Sequence, residues 1–254
     1  MILKNNTKNR NLSKTTIITY VDQMVRGQWK LTSQTITFDK DGLLIDGQHR
    51  LAAVVKSKLS QTFLIARGGN HDDIFKTYDT GKKRSAGDVL SIENIKNANG
   101  ISGTIKKQIK LTKLYSNIDS GIRMMTNKDV LDVYSEHPEQ YQEIYKFSVK
   151  CIKKLKLYSP TKLSGIISYL TLTKKHDQNY VFEFFEALHF NTPHESSVIS
   201  LLRDKLINSM LSQSNLSEVI QVGLIKKAWN YYVSGKDVKL IKITFDEAKQ
   251  IQFI

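Results

Sequence analysis

The chain has 254 residues, 40% of them hydrophobic, with three prolines, thirteen glycines and a formal charge of +14. That length and apolar content exclude a disordered or fibrous protein and suffice for one large domain or two small ones with buried cores. The single Cys151 excludes an internal disulfide, and no apolar run approaches the roughly 20 residues of a membrane span, so a soluble protein of a reducing cytoplasm is expected, with no membrane partner.

Ser13 caps a predicted helix whose apolar residues Ile17, Ile18, Val21, Met24 and Val25 recur at helical spacing, and Gly27 ends it. "TITFDKDGLLI" reads as two short strands around a hairpin turn at Asp39-Lys40-Asp41-Gly42, with glycine where positive φ is needed. A short helix from about His49 to Lys58 follows, then a strand at "TFLIA", so the first part reads α-β-β-α-β. After the loop-rich "RGGNHDDIFKTYDTGKKRSAGDVL", Ser85 with Asp88 forms a capping-box pattern, as Thr126 does with Asp129. Ser159-Pro160 marks another helix start, Gly235 closes the last long helix, and "DVKLIKITF" reads as a terminal strand. The predicted class is therefore α+β: an N-terminal domain over 1–92 and a mostly helical, basic domain over 93–254.

The net charge points towards polyanions, although lysines outnumber arginines 31 to 7, a bias that an AT-rich genome also produces. The arginines are thus the more informative cations, and Arg10, Arg26, Arg50, Arg67 and Arg84 all precede the first glutamate, Glu93. At "LLIDGQHRLAAVV" a strand hands over directly to a helix. A helix N-terminus attracts anions; Gly47 permits a tight turn and close backbone approach, Arg50 offers a forked donor, and His49 adds a hydrogen bond in either charge state. The alternative is that Asp46 pairs with Arg50 and caps the helix.

"DGQHRLAA", placed between a hairpin and "TFLIA", resembles the ParB/sulfiredoxin-like superfamily, whose members hold nucleotide phosphates on a G-x-[HR]-R segment at this junction. Over roughly residues 9 to 90 the chain looks more specifically like uncharacterised ParB-like proteins of bacteriophages. The resemblance implies a ParB/sulfiredoxin-like fold for the first domain, phosphate contacts at Gly47, Gln48, His49 and Arg50, and host cytoplasm as the location. Gln48 stands where sulfiredoxins carry their nucleophilic cysteine, which speaks against sulfinic-acid reduction. It also replaces the charged residue of chromosome-partitioning ParB proteins, which speaks against cytidine-triphosphate switching. The same string resembles that of regulators associated with DNA phosphorothioation. Related free-serine kinases depend on an upstream glutamate, for which this chain offers only Asp22, Asp39 or Asp41.

A second cationic helix start, Thr80, Gly81, Lys82, Lys83 and Arg84, is a candidate opposing phosphate clamp; it lacks Walker A spacing. From Ile144 to His176 the chain holds eight lysines and no acidic residue, interleaved with Tyr145, Phe147, Tyr158 and Tyr169. Lys150, Lys153, Lys154 and Lys156 are its candidate nucleic-acid contacts; the competing reading is a solvated face over a core. His71-Asp72-Asp73, His189 and His194 lack metal-ligand spacing, so no metal site is expected, and Trp29 and Trp229 read as core anchors. The function expected is binding rather than turnover: DNA in preference to RNA, a nucleoside triphosphate with magnesium as the candidate cofactor, and room for a homo-oligomer. Two alternatives stand beside it. One is a phosphotransferase or metal-dependent nuclease using Asp46 with Asp79 or the Asp72-Asp73 pair; the other is a phage interaction protein whose pocket is vestigial.

Overall fold

The computed structural model describes residues 12–69, 85–115, 125–192, 196–212 and 216–254. It is an α+β protein that divides into two compact units, 1–83 with 119–124 and 84–118 with 125–254. The Ser85-capped helix, expected before a boundary at residue 92, is grouped with the second unit, because its Ala86 and Leu90 pack with Ile101 and Ile105.

The first unit follows the expected element order. Helix α1 (Lys14–Val25) is capped by the Ser13 hydroxyl, which accepts from the Thr16 N–H at 3.3 Å. Strands β1 (Ile36–Phe38) and β2 (Leu44–Asp46) pair antiparallel, with a register shift between Thr37 and Phe38. In the turn between them Asp39 Oδ1 accepts from the Asp41 and Leu43 N–H groups at 2.9 and 2.7 Å, and Gly42 takes φ +80°. Helix α2 (Gln48–Ser57) follows, and β3 (Ile65–Arg67) joins β1 in parallel to give the order β2-β1-β3. Only the end of the predicted "TFLIA" strand pairs, the Leu64 carbonyl accepting from the Ile36 N–H at 2.8 Å. The core of this sheet is small: Ile36, Phe38 and Leu44, with Leu51 and Phe63 against them.

Among the described residues the regular elements of the second unit are all helices: α3 (Ala86–Ile92), α4 (Ala98–Tyr115), α5 (Asn127–Glu136), α6 (Pro138–Lys154), α7 (Pro160–Ser168), a π-helical turn at Tyr169–Thr173, α8 (Gln178–Phe190), α9 (Ser197–Leu211), α10 (Glu218–Val233) and α11 (Phe245–Gln250). Both predicted capping boxes form, at Ser85 with Asp88 and Thr126 with Asp129. Leu163, Ile166, Ile167 and Leu170 meet Phe184, Phe185 and Trp229 in the larger core. Tyr158 and Tyr169 are buried in that core rather than offered for stacking. "DVKLIKITF" is not a strand: the segment runs irregularly to Thr244, which caps α11. The sheet belongs to the first unit, so among the described residues this segment has no ladder to join, and it packs instead through Ile241.

Candidate functional site

The opening of α2 is built from below. Gly47 is the N-cap at φ +102° and makes no side-chain capping bond; a Cβ there would meet Ile36 of β1, so glycine is required by both backbone and packing. Gln48, His49 and Arg50 are each more than nine-tenths buried. The Ser13 backbone N–H donates to His49 Nε2 at 2.9 Å, tying α1 to α2 and placing the proton of the neutral ring on Nδ1. Arg50 donates from Nη1 to the Gln34 carbonyl at 2.7 Å and from Nη2 to Asp46 Oδ2 at 2.6 Å. The intrachain Asp46–Arg50 pair is thus formed, but Asp46 does not cap the helix.

Arg50 also lines an open cleft of about 200 Å³ within the first unit. One wall is aromatic: Trp29 meets Tyr20 edge-on at 5.5 Å and Phe63 at 5.7 Å between ring centroids. Lys30, Gln23, Gln28, Gln34 and Thr32 supply charge, amide and hydroxyl groups around it. A guanidinium has more N–H donors than Gln34 and Asp46 use, so Arg50 can meet a ligand without leaving them. The cleft combines flat apolar rings with hydrogen-bonding groups and two cations, a chemistry suited to a planar anion-bearing molecule.

Trp29, expected in the core, therefore stands in the cleft wall. Tyr20, Lys30, Gln34 and Phe63 were not candidates from the sequence; the available signal was "GQWKLTSQ", where an aromatic sits among amides between a finished helix and a strand. Thr80, Gly81, Lys82, Lys83 and Arg84 lie outside the described residues, as do His71, Asp72, Asp73, Asp79 and His194. The candidate bases hold structural partners: Asp22 pairs with Arg26 at 2.8 Å, Asp39 closes the hairpin, and Asp46 holds Arg50.

In the second unit Lys150 pairs with Glu186 at 3.2 Å and lies over the Phe190 ring. Lys153 and Lys154 are exposed in the last turn of α6, whose first turn carries Glu139, and Lys156 is exposed just beyond. This distribution matches the helix dipole, acid first and base last. Cys151 is buried and its thiol is pushed up to about 12 chiefly by that burial, which removes it as a nucleophile. His189 shares a side-chain bond with the Phe185 carbonyl, and burial lowers its pKa to about 4. Among the described residues no group of His, Cys, Asp or Glu is arranged to hold a metal, and no helix is long and apolar enough to cross a membrane. No family model, curated protein or solved structure matches the chain.

Proposed function

We propose that the first unit is a ParB-like phosphate-binding module of bacteriophage type that holds a nucleotide or a DNA phosphate and acts by binding rather than turnover. The observation that carries this reading is Arg50, fixed by Asp46 and Gln34 at the start of α2 and lining a cleft with an aromatic wall. His49 ties the helix start to Ser13, and Gly47, Gln48, Thr80, Gly81, Lys82, Lys83 and Arg84 are the further candidate phosphate contacts, the last five outside the described residues. Lys150, Lys153, Lys154 and Lys156 add a diffuse attraction for nucleic acid. Nucleoside triphosphate with magnesium is the first ligand to try.

The test is a thermal-shift screen of nucleotides with magnesium, followed by DNA mobility shifts across salt concentration. A ligand at about 100 times its Kd stabilises the protein by about 2.7 kcal/mol. Trp29→Leu and Lys30→Gln should abolish the shift or flatten the salt slope, while the protein leaves ATP and plasmid chemically unchanged. Identical responses of wild type and both variants would overturn the assignment of the cleft, and turnover of ATP or plasmid would replace binding by catalysis.

A further inference from the structure

Lys107 and Lys110 of α4, Lys162 of α7 and Glu218 at the start of α10 form a charged cluster in the second unit that the reading of the first unit leaves unused. Lys107 Nζ donates to Glu218 Oε1, and Lys162 Nζ donates to Gln221 Oε1 at 3.0 Å, one turn further along α10. The close approach of α4 and α7 depends on Gly165, since a Cβ there would stand 2.5 Å from the Lys107 Cβ. The lysine stem therefore lies across α7 and brings its ammonium to the α10 terminus.

Lys107 is only 15% exposed, whereas Glu218 is half exposed. Lys107 pairs with Glu218, Lys162 bonds the uncharged Gln221 instead, and the Glu218 carboxylate also lies in the field of Lys162 and Lys110. The Glu218 carboxyl is held below its ordinary range, first by the hydrogen bond from Lys107 and then by the charges of Lys107, Lys162 and Lys110. Lys162 is also held below its usual range, by burial first; the Glu218 charge opposes this and the Lys107 charge adds to it. Converging like charges in a partly desolvated place are unfavourable until a further anion joins them. The opening peptide N–H groups of α10 add to the same positive field.

We propose that this cluster is a phosphate-binding site in which the Glu218 carboxylate holds the place of the incoming anion. A phosphate, whether of a nucleic-acid strand or of a small ester, displaces Glu218 from Lys107 and is received by Lys107, Lys110 and Lys162. Glu218 is then an internal competitor rather than a contact, and removing its charge strengthens binding. An ordinary structural ion pair has no such property.

The experiment is calorimetric titration of the full chain with pyrophosphate and, separately, with a short DNA duplex at several salt concentrations. Glu218→Gln should tighten binding about tenfold, and Lys107→Gln and Lys162→Gln should each weaken it about tenfold, the scale of one charge-assisted hydrogen bond. Saturation by pyrophosphate identifies a small phosphate ester as the source. Response to duplex alone, with a salt slope reduced in Lys162→Gln, identifies a strand. Unchanged or weakened binding in folded Glu218→Gln overturns the proposal; if that variant does not fold, unchanged affinity in Lys162→Gln does so. Trp29→Leu removes the share of binding that belongs to the first-unit cleft, and the affinity that persists in Trp29→Leu is the one that should respond to Glu218→Gln and Lys162→Gln, which separates the two sites.

Discussion

An alanine at position 47 would have to hold φ near +102° and place its Cβ into Ile36. Gly47→Ala should therefore destabilise the first unit by about 2 kcal/mol, measured as a shift in its urea transition. The same residue was read from the sequence as freedom for a ligand to approach; the structure adds a packing reason that operates without any ligand. His189 makes a second residue-scale case. Its folded pKa of about 4 lies below the ordinary 6.5, so between those values the unfolded chain binds more protons than the folded one. Stability should thus be fully present above pH 6.5 and fall as pH drops towards 4, by up to about 3 kcal/mol. His189→Leu should remove that component of the pH profile in thermal melts.

At the scale of elements, helix starts were the most legible features. Ser13, Ser85, Thr126 and Ser159 cap helices because a short hydroxyl side chain can reach an unpaired N–H two or three residues ahead, a relation local enough to be written in adjacent residues. Thr126→Ala removes the hydroxyl half of the capping box and the Oγ1 bond to Asp129 while keeping the bond from the Thr126 backbone N–H, and should lower stability by about 1 kcal/mol in a denaturant melt, with helicity otherwise retained. "DVKLIKITF" shows the limit of local reading. Alternating Val, Leu and Ile describe a chain that would suit a sheet edge, but a strand needs a neighbour, and here the side chains pack on helices instead. The lysines from 146 to 156 behave similarly: their abundance is a property of sequence, whereas pairing of Lys150 with Glu186 on α8 depends on how α6 meets α8.

For the molecule as a whole, the two units differ in how much apolar surface they bury. The first is held by a sheet core of a few residues, while α7, α8 and α10 supply a large cluster with Phe184, Phe185 and Trp229 almost fully buried. Amide hydrogens of α7 and α10 should accordingly exchange slowest, and those of β1 and α2 at least about tenfold faster, by hydrogen-exchange mass spectrometry. A phosphate ligand seated in the cleft should slow α2 selectively. Equal protection in both units would show that the small core is reinforced in a way its contacts do not reveal.

The α-β-β-α-β order, the hairpin turn, the caps and the cationic character of the chain followed from the sequence by itself. Each rests on neighbours a few residues apart: a glycine where φ must be positive, a hydroxyl three residues before an acid, apolar residues at helical spacing. What tertiary structure decided was partnership. Arg50 reaches Gln34 and Asp46, Trp29 turns from presumed core into a cleft wall, and Lys107 meets Glu218 across 111 positions of chain. Such contacts arise because packing brings distant elements together, and no spacing within a short window of sequence encodes which cation will find which anion.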